Sequence, residues 1–168
     1  LDAAGVLMIG HAHMGGFGSI EGVAAAKAEI IAGLRPEGIA ILNADDARAA
    51  AMAELAPARV LTFSARGRQA DLRAENVDLD AAARAAFDLH LPGLAEPRRV
   101  QLAVAGVHNV SNALAAAGLA LAAGIAPELI AERLGSVSIE SPHRMDISEL
   151  SGDLLLIDDS YNANIDSM

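Results

Sequence analysis

The chain contains no cysteine, no tryptophan, one tyrosine and three phenylalanines. Without thiols there is no disulfide framework, no thiolate metal site and no cysteine nucleophile. Aromatic residues make up 2%, which argues against a surface that grips nucleic acid by stacking on its bases. Positive charge is also scarce. The formal net charge is −10 and the arginines are scattered, so the basic stripe of a phosphate-backbone binder is missing, as is the charge that draws a protein to an anionic membrane. No apolar run reaches the roughly 18 residues of a membrane span. No basic segment leads into a long apolar one, so no signal peptide is expected. The expectation is a cytoplasmic protein that binds no nucleic acid and inserts into no membrane.

What is present is a 168-residue chain, 53% hydrophobic and rich in alanine. That length supports one domain with a real core, and small side chains suit close packing of helices on a sheet. Val6 to Ile9 reads as a buried strand, followed by a glycine-rich turn from Gly10 to Gly18. Ser19 is a good N-cap for a helix reaching about Leu34, with Glu21 at its positive end. Ile39 to Leu42 reads as a second strand ending at Asn43. Asp45 or Asp46 caps the next helix, and Arg59 to Phe63 is a third strand. This alternation is the rhythm of a parallel sheet covered by helices. Asp71 to Asp80 and Ala86 to Leu91 read as antiparallel strands with polar faces, and Arg98 to Ala105 alternates. An alanine-rich helix follows from about Asn109 to Ala123, with Gly124 at C′ and Pro127 opening another helix. Arg144 to Leu150 and Leu154 to Ile157 are expected as closing strands. The fold class is α/β: a mostly parallel sheet flanked by helices, with a small antiparallel subregion.

Polar clusters fall where strands end, at His11 to Ser19, Asn43 to Asp46, His108-Asn109 and Asp158 to Asn164. Ligands of open α/β sheets gather at such carboxyl ends. Lys27 lies on the apolar stripe of the first helix by the 3.6-residue period. Either its stem snorkels to the edge, or its head points into a site, where carbamylation would make it an oxygen donor for Mg²⁺. His13 is either a loop residue or a metal ligand opposite Lys27. Asn109 and Asn112 share a helix face, and Asn109 either caps the helix or reads the edge of a base. Asp158, Asp159, Ser160, Tyr161, Asn162 and Asn164 supply more donors and acceptors than a plain surface loop needs.

Together these runs resemble a known family. Ala12-His13-Met14-Gly15-Gly16-Phe17-Gly18-Ser19 with Glu21, Gly22, Ala26-Lys27 and Glu29-Ile30, then Asn43-Ala44-Asp45-Asp46, then Gly106, His108-Asn109-Val110 and Ser111-Asn112-Ala113-Leu114, and finally Asp158 to Asn164, are similar in order and spacing to segments of the Mur ligases. The last run resembles the member that adds D-alanyl-D-alanine to a UDP-N-acetylmuramoyl tripeptide in cell-wall precursor synthesis.

The resemblance implies a P-loop-type central domain, ATP and Mg²⁺ as cofactors, and a monomeric intact enzyme. It implies that His13 and carbamylated Lys27 hold a Mg²⁺ and take part in catalysis. Asn109 would contact adenine, Arg144 the phosphates, and Asp158 or Asp159 the ribose, with Asn43 a further nucleotide-pocket candidate. Ser160, Tyr161 and Asn162 would meet substrate near the next domain. The chain departs from the family pattern at Gly15, Val107 and His143. It also contains no G-x-x-x-x-G-K-[ST] loop. The expectation is a partial central domain, without the phosphate loop and without the UDP-substrate and C-terminal domains, inactive by itself. Other expectations in view are a sister ligase of the superfamily, including the folylpolyglutamate type, and a relic that has lost catalysis.

Overall fold

The computed structural model describes residues 1–11, 14–137, 146–152 and 154–161. Six strands lie side by side in chain order: β1 (Ala3–Val6), β2 (Ile39–Asn43), β3 (Arg59–Ser64), β4 (Leu72–Leu79), β5 (Arg84–His90) and β6 (Arg98–Ala105). β1 to β4 are parallel and β4 to β6 antiparallel. This is the mostly parallel sheet with an antiparallel subregion that the strand–helix alternation implies. Helix α2 (Ile20–Ala32) makes the first crossover. Helix α3 (Ala47–Ala51) and a 3₁₀ turn at Met52–Leu55 make the second. β4 pairs only with the last two residues of β3, Phe63 with Leu72 and Ser64 with Arg73. A short loop therefore suffices there, whereas a full parallel return needs a dozen residues or more.

Side chains alternate across β2 and divide the core in two. Ile41 packs with Phe63, Leu72, Phe87 and Leu89 under α4 (His108–Ala122) and α5 (Pro127–Leu134). Ala40 and Leu42 pack on the opposite face with Val23 and Ile31 of α2, and with Ala49 and Met52. Each fully buried Phe or Leu contributes about 1.5–3 kcal/mol. Gly118 lets α4 lie close on the sheet, since a Cβ there would come within 2.9 Å of Ile41 Cγ2.

Several local expectations shift. β1 begins and ends three residues earlier than the apolar run Val6 to Ile9 suggests. Inside the glycine-rich turn lies a short helix, α1 (Met14–Phe17). Ile30 of α2 is 45% exposed, so the helix buries a narrower stripe than its apolar composition allows. Asp46, not Asp45, caps α3. Val107 precedes the first residue of α4 and makes no side-chain cap, so Asn109 lies inside the helix and does not cap it.

β7 (Asp146–Leu150) and β8 (Leu154–Asp158) form a separate antiparallel hairpin, in which Leu154, Leu155, Leu156 and Ile157 are all exposed. The antiparallel subregion is laced by ion pairs. Arg99 reaches Asp78 and Asp88, while Arg73 and His90 meet Glu75. The β4–β5 register shifts between Glu75 and Asp78, where Asn76 has φ 49°. The Asn76 amide also donates to Asp88.

Candidate functional site at the carboxyl edge of the sheet

Because β5 reverses the chain and β6 reverses it again, β6 runs in the same direction as β1 to β4. The ends of β1, β2, β3 and β6 therefore share one edge, the edge where open α/β sheets bind ligands.

At the β2 end, a run of short polar residues knits three strands together. Asn43 is 7% exposed. Its Nδ2 donates to Leu7 O at 2.7 Å and its Oδ1 accepts from Asp45 N at 2.8 Å. The Asp45 side chain is 8% exposed. It accepts from Ser64 Oγ and from Ala65 N, each at 2.8 Å. Asp46 Oδ1 accepts from Arg48 N and Ala49 N as the α3 cap, while its Oδ2 accepts from Ile9 N at 2.7 Å. Buried polar groups have to be paired in this way, since leaving one unpaired costs about 1–3 kcal/mol.

Lys27 is exposed, and its Nζ donates to Met8 O at 2.8 Å. Its stem leaves the helix and brings the amine just beyond the end of β1, as snorkelling to the edge of the sheet would. Nearby, Arg48 on α3 pairs with Glu21 in the first turn of α2 at 3.0 Å. The Arg48 hydrogen bond holds the Glu21 carboxyl below its ordinary range.

At the β6 end, Gly106 has φ +104°, and a Cβ on it would lie 2.5 Å from His108 Cε1. Only glycine lets the His108 ring fold back against this turn. Asn109 Nδ2 donates to Ala105 O at 2.8 Å, and Asn109 Oδ1 accepts from Asn112 Nδ2 at 2.9 Å. These bonds set which way the Asn109 amide points. One N–H and one lone pair then remain for a planar donor–acceptor edge. β1 and β6 are the outer strands of the six, so the Lys27 and Asn109 ends are separated by roughly 24 Å at 4.8 Å per strand.

Where β8 ends, Ser160 donates to Asp158 Oδ1 through both its N–H, at 3.1 Å, and its hydroxyl, at 2.6 Å. This folds the segment back on the end of β8, with Asp159 and Tyr161 exposed beside it. His13, Arg144 and Asn162 lie outside the described residues. Lys27 and Asn43 thus gather at the β1–β2 end, Asn109 stands at the β6 end, and Asp158 to Tyr161 follow β8.

Sequence reasoning named Asp45 and Asp46 only as alternative caps and Asn112 only as sharing a face with Asn109; it did not foresee the bracing by Asp45 and Ser64, the Asp46 bond to Ile9, or Asn112 orienting Asn109. A signal existed for Asp46, an aspartate just ahead of a helix, but none pointed from Asp45 to a serine nineteen positions away. Among the described residues, no group of three or more His, Asp or Glu side chains gathers as a metal site. Lys27, donating to a carbonyl, does not suit a cation unless the amine is converted to an anion. A shallow cleft of about 240 Å³ lined by Asp71, Arg73, His90 and Glu96 lies away from this edge. Arg73 pairs with Glu75 at 2.8 Å, His90 Nε2 lies 3.0 Å from the same carboxyl, and Asp71 accepts from the Thr62 hydroxyl.

Comparison with known proteins agrees with this architecture. The Mur ligase middle domain family matches residues 1–120. The UDP-N-acetylmuramoyl-tripeptide–D-alanyl-D-alanine ligase of Mycobacterium tuberculosis (strain ATCC 25618 / H37Rv) is 44% identical over 163 residues, covering 97% of this chain and 31% of that protein. The ligase of the same name from Escherichia coli (strain K12) is 38% identical over 169 residues, covering 99% of this chain and 36% of that protein. A crystal structure of MurF from Acinetobacter baumannii superposes with TM-score 0.87 at 36% identity, covering 97% of this chain and 34% of that one. The chain spans about a third of the length of these relatives. With a family match over more than two-thirds of its residues and a superposition that covers 97% of its length, the chain belongs to the Mur ligases, through their middle domain.

Proposed function

We propose that the chain is part of an ATP-dependent ligase that joins D-alanyl-D-alanine to a UDP-N-acetylmuramoyl tripeptide. The observation that carries this reading is the 44% identity to a ligase of that specificity along 97% of the chain. Lys27 and Asn109 stand at the two ends of one carboxyl edge, the edge where open α/β sheets bind ligands, which is consistent with it. ATP transfers its γ-phosphoryl group to the tripeptide's terminal carboxylate, forming an acyl phosphate and ADP. The dipeptide amine attacks the acyl carbon, phosphate leaves, and the amine loses a proton as the amide forms. Such chemistry rests on positioning and on neutralising phosphoryl charge.

In this reading the Asn109 amide, held by Ala105 and Asn112, meets the adenine edge. Asp158 or Asp159 meets the ribose, and Arg144 the phosphates. Ser160, Tyr161 and Asn162 face substrate at the junction with a following domain. Mg²⁺ would bind at His13 and at Lys27 in its carbamylated form. The described residues do not by themselves make a cation site. The intact enzyme is a cytoplasmic monomer and this chain is inactive alone. Among the described residues no helix is long and apolar enough to cross a membrane.

The test is phosphate release by the intact ligase with ATP, Mg²⁺ and UDP-N-acetylmuramoyl tripeptide, with and without D-alanyl-D-alanine. Release that depends on the dipeptide is expected. Release without that dependence, or stimulated instead by a single amino acid, would overturn the assignment.

A further inference from the structure

Three consecutive residues beyond β1 are each held by a side chain rather than by a strand. Leu7 O accepts from Asn43 Nδ2, Met8 O accepts from Lys27 Nζ, and Ile9 N donates to Asp46 Oδ2, at 2.7, 2.8 and 2.7 Å. The β1–β2 ladder ends with Val6 opposite Leu42. From there Asn43 and Asp46 take over the pairing that a longer strand would supply. They lock the backbone on either side of Met8, so its carbonyl is presented at a fixed place to the amine arriving from α2. Asn43 is itself fixed by Asp45 N, and Asp46 by its bonds to the first turn of α3. The clamp is thus anchored in β2 and α3, not in the loop it holds.

We propose that Asn43 and Asp46 are positioning residues that set Lys27 at the carboxyl edge through the Met8 carbonyl, and that Asn43 does not contact nucleotide. The amide of Asn43 is 7% exposed and already has a backbone partner at each end, which suits a clamp and leaves little for a ligand. That Lys27 acts in catalysis rests on the ligase reading above. That it is held by this clamp does not.

Lys27 is the only lysine in the chain, so its amine can be followed without interference. The 168-residue chain is treated with a limiting amount of an acetylating reagent. Modification of Lys27 relative to the Leu1 α-amine is read by peptide mass spectrometry. In Asn43→Ala, the clamp on Leu7 is gone, and Lys27 should be acetylated about three to ten times faster, the factor an ordinary hydrogen bond is worth. Asp46→Ser keeps a hydroxyl to cap α3 but cannot span to Ile9 N, and it should raise the rate in the same direction. Asp46→Ser also stands in should Asn43→Ala fail to fold. Phe87→Leu loosens the opposite core without touching the clamp and should leave the relative rate unchanged.

Folded Asn43→Ala or Asp46→Ser protein with the parent's Lys27 rate overturns the proposal, as does an equal rise in Phe87→Leu. In the intact ligase, Asn43→Ala should lower kcat with KM for ATP unchanged. A raised KM for ATP with kcat unchanged would make Asn43 a nucleotide contact and overturn the proposal. An intact protein without ligase activity would defeat the functional reading alone, and the acetylation arm would still decide whether the clamp exists.

Discussion

Replacing Asp45 with alanine tests whether the polar braces or the apolar layers hold the carboxyl edge together. The carboxylate is 8% exposed and accepts two hydrogen bonds of 2.8 Å, from Ser64 Oγ and Ala65 N. Ser64 is fully buried, and its hydroxyl also accepts from Arg66 N and Arg68 N. In Asp45→Ala the serine loses the acceptor for its proton and Ala65 loses its partner. At about 1–3 kcal/mol for each stranded group, and with some relief from water at the edge, the loss should be about 2–4 kcal/mol. Asp45→Asn keeps one acceptor oxygen and should lose roughly half as much. The assay is urea unfolding, with stability taken from the midpoint at constant slope. A double-mutant cycle with Ser64→Ala should show a coupling of about 0.5–3 kcal/mol, as expected for groups in direct contact. An Asp45→Ala loss below about 0.5 kcal/mol, the range of ordinary surface changes, would refute the idea that this network carries structural weight.

Gly118→Val should destabilise the chain by about 1–3 kcal/mol through overpacking, since even a Cβ there comes within 2.9 Å of Ile41. Thermal unfolding checks it, and an unchanged midpoint would contradict the close approach of α4. Acid should weaken the fold. The folded-state pKa values of Glu21, Glu75, Asp80 and Asp88 are lowered, first by Arg48, Arg73, the Arg84 backbone and Asn76 respectively. Their contribution is present above the ordinary carboxylate range near pH 4 and is lost as pH falls through the lowered values. Melting curves from pH 7 to pH 3 should show this, and Arg99→Ala should flatten the fall by removing a partner of Asp88. The chain should self-associate through β8, where four successive apolar residues are 49–62% exposed in a strand that, among the described residues, pairs only with β7. Leu155→Lys should reduce association measured by sedimentation, and equal association in both proteins would point to another surface.

The elements themselves were legible because they depend on neighbours in the chain. Ser19 accepts from Gly22 N three residues on. Asp46 caps the helix that begins beside it, and Gly124 takes the positive φ at the end of α4. Apolar runs flanked by glycine and alanine-rich segments were enough for a sheet between helices, and motif order was enough for the family. The carboxyl-edge location of the polar runs followed from where strands stop. Of the candidate residues, Lys27 was marked by its charge on an apolar stripe, and Asn109 by its place at a helix start.

What the sequence could not supply is partnership across distance. β1 stops at Val6 although the apolar run continues to Ile9. Residues 7 to 9 bind side chains 19 to 37 positions away instead of a neighbouring strand. Hydrophobic patterning registers burial, not which atom a backbone carbonyl meets. Asn109 looked like a cap because asparagine often is one, yet its amide turns back to Ala105 and is steadied by Asn112. Sequence by itself determined the alternation of strands and helices along the chain and, through the order of its motifs, the family, because burial and local capping are written in composition and spacing. Only the tertiary structure decided which short polar side chains hold Lys27 and Asn109 in place, because those bonds exist only once distant strand ends have been brought to a common edge.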